Sequence, residues 1–136
     1  MPGRVLIAAA SCALLAGCYT VDSVRESAPA RSGEIAGDYR NLAACLTRAV
    51  QRGTQGSMVV DESTQTATVL SVTDNGYTRV PYSETTLRSA GPGRTQVDIR
   101  SQHRSLAGRP TFADAAWDNL QSCSQQAAAQ GTPSQR

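Results

Sequence analysis

Lysine is absent from this 136-residue chain: all 13 basic residues are arginine, set against 11 acidic ones. With the many alanines, that choice reflects the coding bias of a GC-rich genome rather than a functional demand. The near balance of charge lacks the strong basic excess of a nucleic-acid binder, so no nucleic-acid partner is expected. Histidine occurs once, at His103, with no acid or cysteine at ligand spacing, and there is no Cys-x-x-Cys. Neither a metal site nor a cofactor is therefore expected, and His103 reads as a solvated loop residue. Ser57 and Ser105 lack the Gly-x-Ser-x-Gly elbow of a serine hydrolase. Gly91 and Gly93 are not followed by the Gly-Lys-Ser/Thr of a phosphate loop. Asp114 and Asp118 stand one helical turn apart, off the apolar stripe, and read as a solvated face. Aromatics are sparse, with one Trp, one Phe and four Tyr, so the core must be built mainly from Ala, Val, Leu and Ile. A core of that kind is marginal in a small domain and gains from a covalent staple.

What is present begins at the N-terminus. Residues 1–17 carry one early positive charge, Arg4, then an apolar run, then the small residues Ala16 and Gly17, the layout of a secretory signal. The run is too short to span a bilayer, which takes about 20 residues. The small residues end on a cysteine, and Leu15-Ala16-Gly17-Cys18 resembles the lipobox of bacterial lipoproteins. The resemblance implies a diacylglycerol group on the Cys18 thiol, cleavage just before it, and acylation (such as by palmitate) of the new amino terminus. Two or three acyl chains anchor stably where one binds only marginally. An aspartate after the modified cysteine would favour the inner membrane. Tyr19 stands there instead, so the resemblance implies the outer membrane, periplasmic side.

Loss of residues 1–17 leaves one small domain. The expected organisation is a removed signal over 1–17, a lipid anchor and flexible tether over 18–37, a single domain over 38–127 and a disordered tail over 128–136. Cys12 leaves with the signal and Cys18 is acylated, so Cys45 and Cys123 remain. In the oxidising periplasm they read as one disulfide.

Apolar residues Tyr39, Leu42, Ala43, Leu46, Ala49 and Val50 recur at helical spacing and predict a helix over 38–52, with Asp38 as N-cap and Gly53 as stop. Val- and Thr-rich runs over 57–61 and 66–73 read as strands, and Asp74-Asn75-Gly76 as a hairpin turn into a third strand over 77–82. Pro81 places that strand at an edge or at its end, with 84–90 a continuation, a fourth strand or a loop. After the Gly91-Pro92-Gly93 turn, residues 94–102 alternate cleanly: Thr95, Val97 and Ile99 on one face, Arg94, Gln96, Asp98 and Arg100 on the other. Thr111 and Asp114 form a capping box for a second helix over 112–126, whose apolar face carries Ala113, Ala116, Trp117, Leu120 and Cys123. The expected fold is α+β: an antiparallel sheet of three to five strands, with the N-terminal and C-terminal helices on one face, joined by the disulfide.

The same alternation puts Arg79, Arg88, Arg94 and Arg100 outward, a candidate face for an anionic envelope partner, diluted by Asp98 and Glu84. The functional expectation is a lipid-anchored envelope protein that binds or assembles without catalysing a reaction. Two other classes compete. A small envelope hydrolase or transferase needs convergent acid, base or nucleophile side chains. An inhibitor of a secreted enzyme needs a protruding loop, and Gly91-Pro92-Gly93-Arg94 is the candidate.

Overall fold

The computed structural model describes residues 21–74, 79–101 and 111–130, and for 73, 74 and 79–82 the backbone alone. The lipobox, Asn75-Gly76, His103 and Ser105 lie outside the described residues. The elements run α1 (Val21–Glu26), β1 (Arg31–Ala36), α2 (Tyr39–Val50), β2 (Gln55–Asp61), β3 (Thr66–Asp74), β4 (Arg79–Ser89), β5 (Arg94–Ser101) and α3 (Phe112–Gln130). The strands form one antiparallel sheet in the order β1-β5-β4-β3-β2. The fold is α+β, and Cys45 of α2 is bonded to Cys123 of α3, as expected.

Strand alternation gives the sheet two faces. On the inner face lie Ile35 of β1, Val97 and Ile99 of β5, Leu87 of β4, and Ala67 and Val69 of β3. Against them pack Tyr39, Leu42, Ala43 and Leu46 of α2 and Ala113, Trp117 and Leu120 of α3. These are the stripes that the helical spacing marks out in the sequence.

Each long helix is started by its own side chains. Asp38 accepts from the amides of Arg40 (3.0 Å) and Asn41 (3.2 Å) at the head of α2. At α3 the capping box closes in both directions: Asp114 N donates to Thr111 Oγ1 (3.1 Å) and Thr111 N to Asp114 Oδ2 (3.0 Å). The Thr111 amide, then its hydroxyl, hold the Asp114 carboxyl below the ordinary carboxylate range, with Arg31 adding to the effect. A depressed folded value means that this stabilisation is present above about pH 4 and is lost as pH falls through the lower folded value.

Three expectations are corrected. Residues 18–37 do not read through as a flexible tether, because α1 and β1 occupy 21–26 and 31–36. Val24 and Ile35 are buried, and β1 pairs with β5 from Arg31↔Ile99 to Ala36↔Arg94. The strand escapes pattern reading because two of its three inward positions are Arg31 and Gly33, which leaves Ile35 as its only buried apolar residue. Glycine is required there by Trp117: a Cβ at position 33 would stand 2.6 Å from the indole Cη2. Arg31 finishes the cluster, with its guanidinium 4.7 Å from the Trp117 ring centroid and 3.0 Å from Asp114.

The expected tail is also shorter at its start. α3 continues to Gln130, because Ala127, Ala128 and Ala129 are strong helix formers. Finally, residues 79–89 are one strand in the sheet interior, and Pro81 marks neither an edge strand nor a strand end. Pro81 stands opposite Val72, where the register with β3 shifts, and among the described residues pairing with β5 starts at Ser83↔Ser101. A missing amide is tolerated at such an irregularity.

Two outcomes test this packing. Gly33→Ala should lower stability by about 1–3 kcal/mol, the usual cost of overpacking, read as a drop in melting temperature. Reduction of Cys45–Cys123, which closes a separation of 78 residues, should remove about 4–5 kcal/mol in the chain-entropy model. In a domain of this size that lowers the melting temperature by roughly 10 °C or more.

Candidate functional site

The outer sheet face is built in rows by the register. Ser32, Asp98, Thr86, Thr68 and Val59 form one row; Glu34, Gln96, Arg88, Thr66 and Asp61 the next; Arg100, Glu84, Leu70 and Ser57 a third. Of the four arginines expected to point outward, Arg88 is exposed and forms no ion pair among the described residues. Arg94 is exposed and faces Glu34 at 3.5 Å. Arg79 lies in β4 opposite Asp74, and its side chain is outside the described set. Arg100 differs from a solvated residue: it is half-buried and donates through Nε to the Ser27 carbonyl at 3.1 Å.

Arg100 is covered because α1 docks on this face. Val24 is fully buried apart from the main core, and Arg25 Nε meets the Glu84 carboxylate at 2.7 Å. Glu84 is only 6 % exposed, and its cationic neighbours are Arg25 from α1 and Arg100 opposite it on β5. Arg25 in turn is held protonated more firmly by the hydrogen bond to Glu84 and by its charge. An isolated carboxylate at that depth would be costly, so the ion pair and the docking of α1 stand or fall together.

The other carboxylates nearby are also committed. Ser32 Oγ donates to Asp98 at 2.6 Å, and Asp114 serves the α3 cap and Arg31. Asp118 is exposed, as expected of a solvated face, and so is Ser57. The Gly91-Pro92-Gly93 turn is tied down, since Gly37 N donates to Gly93 O (2.8 Å) and Ala90 N to Arg94 O (2.9 Å). Gly91, Pro92, Gly93 and Arg94 are all exposed above this tied base. Among the described residues, no three His, Cys, Asp or Glu side chains cluster as metal ligands do.

A second feature lies on the helical side. A cavity of about 410 Å³ opens between α2 and α3 over the disulfide, lined by Asn41, Cys45, Arg48, Cys123, Gln126 and Gln130 among others. Its lining offers side-chain amides, one guanidinium and the Asp38 carboxylate that caps α2, groups suited to hydrogen-bonding a polar surface. The sequence carries the signal for it. Asn41, Cys45 and Arg48 follow helical spacing on one helix, and Cys123, Gln126 and Gln130 do so on the other, so joining the cysteines gathers the polar residues.

The Arg25–Glu84 pair gives a test of α1 docking. Arg25→Met should lower the melting temperature by leaving Glu84 without its partner, and Glu84→Gln in the same chain should recover part of the loss by removing the buried charge. Hydrogen exchange of residues 21–27 should rise in the single variant and fall back in the double. No change in either would show that α1 is held by Val24 alone.

No protein-family model, curated protein or solved structure matches the chain.

Proposed function

We propose that this chain is a lipid-anchored bacterial envelope protein, held through acylated Cys18 on the periplasmic side of the outer membrane, with a non-catalytic binding or assembly role. The reading is carried by one juxtaposition. Leu15-Ala16-Gly17-Cys18 ends three residues before Val21, where the docked helix α1 begins. Three residue steps reach about 11 Å at most. Acyl chains on Cys18 would therefore hold α1, and the outer sheet face that carries it, beside the lipid headgroups. Arg88 and Arg94 would meet those anionic groups, and the helical side with its α2–α3 groove would face a partner.

A non-catalytic role is supported by the state of the outer-face acids. Glu34 and Glu84 are each bound to an arginine, Asp61 accepts from Ser63, and Asp98 accepts from Ser32, so each of these acids is already engaged by a neighbour. A partner with anionic groups suits both the exposed arginines and Arg48 in the groove.

Cys18→Ala should abolish acyl labelling and release the chain from the membrane fraction or leave it unprocessed. Retained labelling together with membrane fractionation would remove the anchor.

A further inference from the structure

The two edges of the sheet are treated differently. β1 carries Arg31 and Glu34, charges that discourage pairing with another chain, and its inner face is covered by Trp117 of α3. β2 is also met on its inner face by a helix, α2, through Val50 against Gly56, but it lacks such charges along most of its length. Its sequence Gln-Gly-Ser-Met-Val-Val-Asp holds no proline and no charge before its last residue. Two of the three exposed large apolar side chains among the described residues stand on it, Met58 at 39 % and Val59 at 69 % exposure.

The backbone of this edge can be oriented. β2 and β3 are joined by residues 62–65, with Gln65 N bonded to Glu62 O and Gln65 in the left-handed region (φ 48°). The pair Asp61↔Thr66 closes that loop, so it is a hydrogen-bonded pair, and alternation gives Val59 and Ser57 the same role. Gly56, Met58 and Val60 therefore turn their N–H and C=O groups away from β3. An independent contact agrees: the Gly56 carbonyl accepts from Gln51 Nε2 at 3.1 Å, from outside the ladder. With the Gly56 carbonyl capped in this way, the groups left open along the edge among the described residues are the Gly56 N–H and both backbone groups of Met58 and Val60, the last two on either side of Val59.

The geometry points to a second copy of this chain as the occupant: two β2 strands pair antiparallel about a two-fold axis through Val59, joining two sheets into one of ten strands. In this register Met58 and Val60 of one copy exchange backbone hydrogen bonds with Val60 and Met58 of the other. Val59 faces Val59 across the axis. All three apolar residues find apolar partners. Asp61 falls opposite Ser57, and Glu62 opposite Gly56, so no like charges meet. α2 lies over β2 and β3 together, with Tyr39–Glu62 and Gln51–Gly56 contacts at its two ends. With strands about 4.8 Å apart, the same rotation sets two α2 helices roughly 10 Å apart, a normal packing distance.

Symmetry also keeps the anchors together. A two-fold axis normal to the sheet leaves both outer faces on one side, so both α1 helices, and the residues leading into them, lie toward the same surface. This part rests on the proposed Cys18 anchor; the strand pairing does not. A seven-residue edge offers only part of the about 800 Å² per partner that a standard stable interface buries. Pairing is therefore weak in dilute solution and favoured where both copies are confined to one membrane.

Full-length chain carrying Val59→Cys, Ser57→Cys or Val59→Lys is expressed in the native envelope and oxidised, with acyl labelling read on the same samples. Concentrated purified full-length chain is treated alike. Val59→Cys should give a disulfide-linked homodimer, because facing residues on paired strands bring their Cβ atoms to about 5 Å. Ser57→Cys should not, since its two copies lie roughly 14 Å apart in this register. Val59→Lys, which sets two cations face to face, should lose the dimer seen by a lysine-independent crosslinker without a change in melting temperature. A Val59→Cys dimer without acyl labelling supports the pairing and removes the anchor. No Val59→Cys dimer in either setting, equal dimer from Ser57→Cys, or a link only to a different protein overturns the pairing.

Discussion

The Cys45–Cys123 bond fixes the helical layer as one unit, with Cα atoms 6.0 Å apart on α2 and α3. A domain with so few aromatic side chains buries modest apolar area per residue, and its core is one cluster between two helices and one sheet face. Separating α2 from α3 would open that cluster and the groove above the bond together. The covalent link thus stabilises the core from the side where the sheet cannot.

The opposite side of the sheet is held by electrostatics. α1 covers one corner through Val24, and its Arg25, with Arg100, accompanies Glu84 into a nearly buried position. Glu84 has no reason to be there without them. The consequence for function is geometric, because a docked α1 shortens the link between Cys18 and the domain to two residues, Tyr19 and Thr20. On the proposed reading, membrane attachment then sets the orientation of the domain as well as its location.

The same sheet supplies three surfaces with different chemistry. The outer face mixes arginines with bound acids, the helical groove presents amides, Arg48 and Asp38, and the β2 edge presents apolar side chains and open backbone groups. On the proposed reading they serve lipid, partner and second copy respectively. They do not compete, since they lie on opposite faces and one margin of a single layer.

Local patterns alone determined much of this protein. Helical spacing from Tyr39 to Val50, the Asp38 cap, the Thr111–Asp114 box and the alternation from Arg94 are all legible because each is fixed by neighbours within a few residues. The disulfide was legible from Cys45 and Cys123, the two cysteines that the lipobox reading leaves, and the groove could have been read from the polar residues spaced around them. What only the tertiary structure decided involves partners far apart in the chain. β1 is a strand because β5 supplies its hydrogen bonds and because Trp117, 84 positions after Gly33, occupies the space that a side chain would need. α1 is docked because Glu84 and Arg100 meet it across the sheet. Pro81 is accommodated in a strand that runs between β3 and β5 because the register with β3 slips beside it. Six residues with one or two apolar side chains cannot announce such a fate, since their stability comes from contacts formed after the rest has folded.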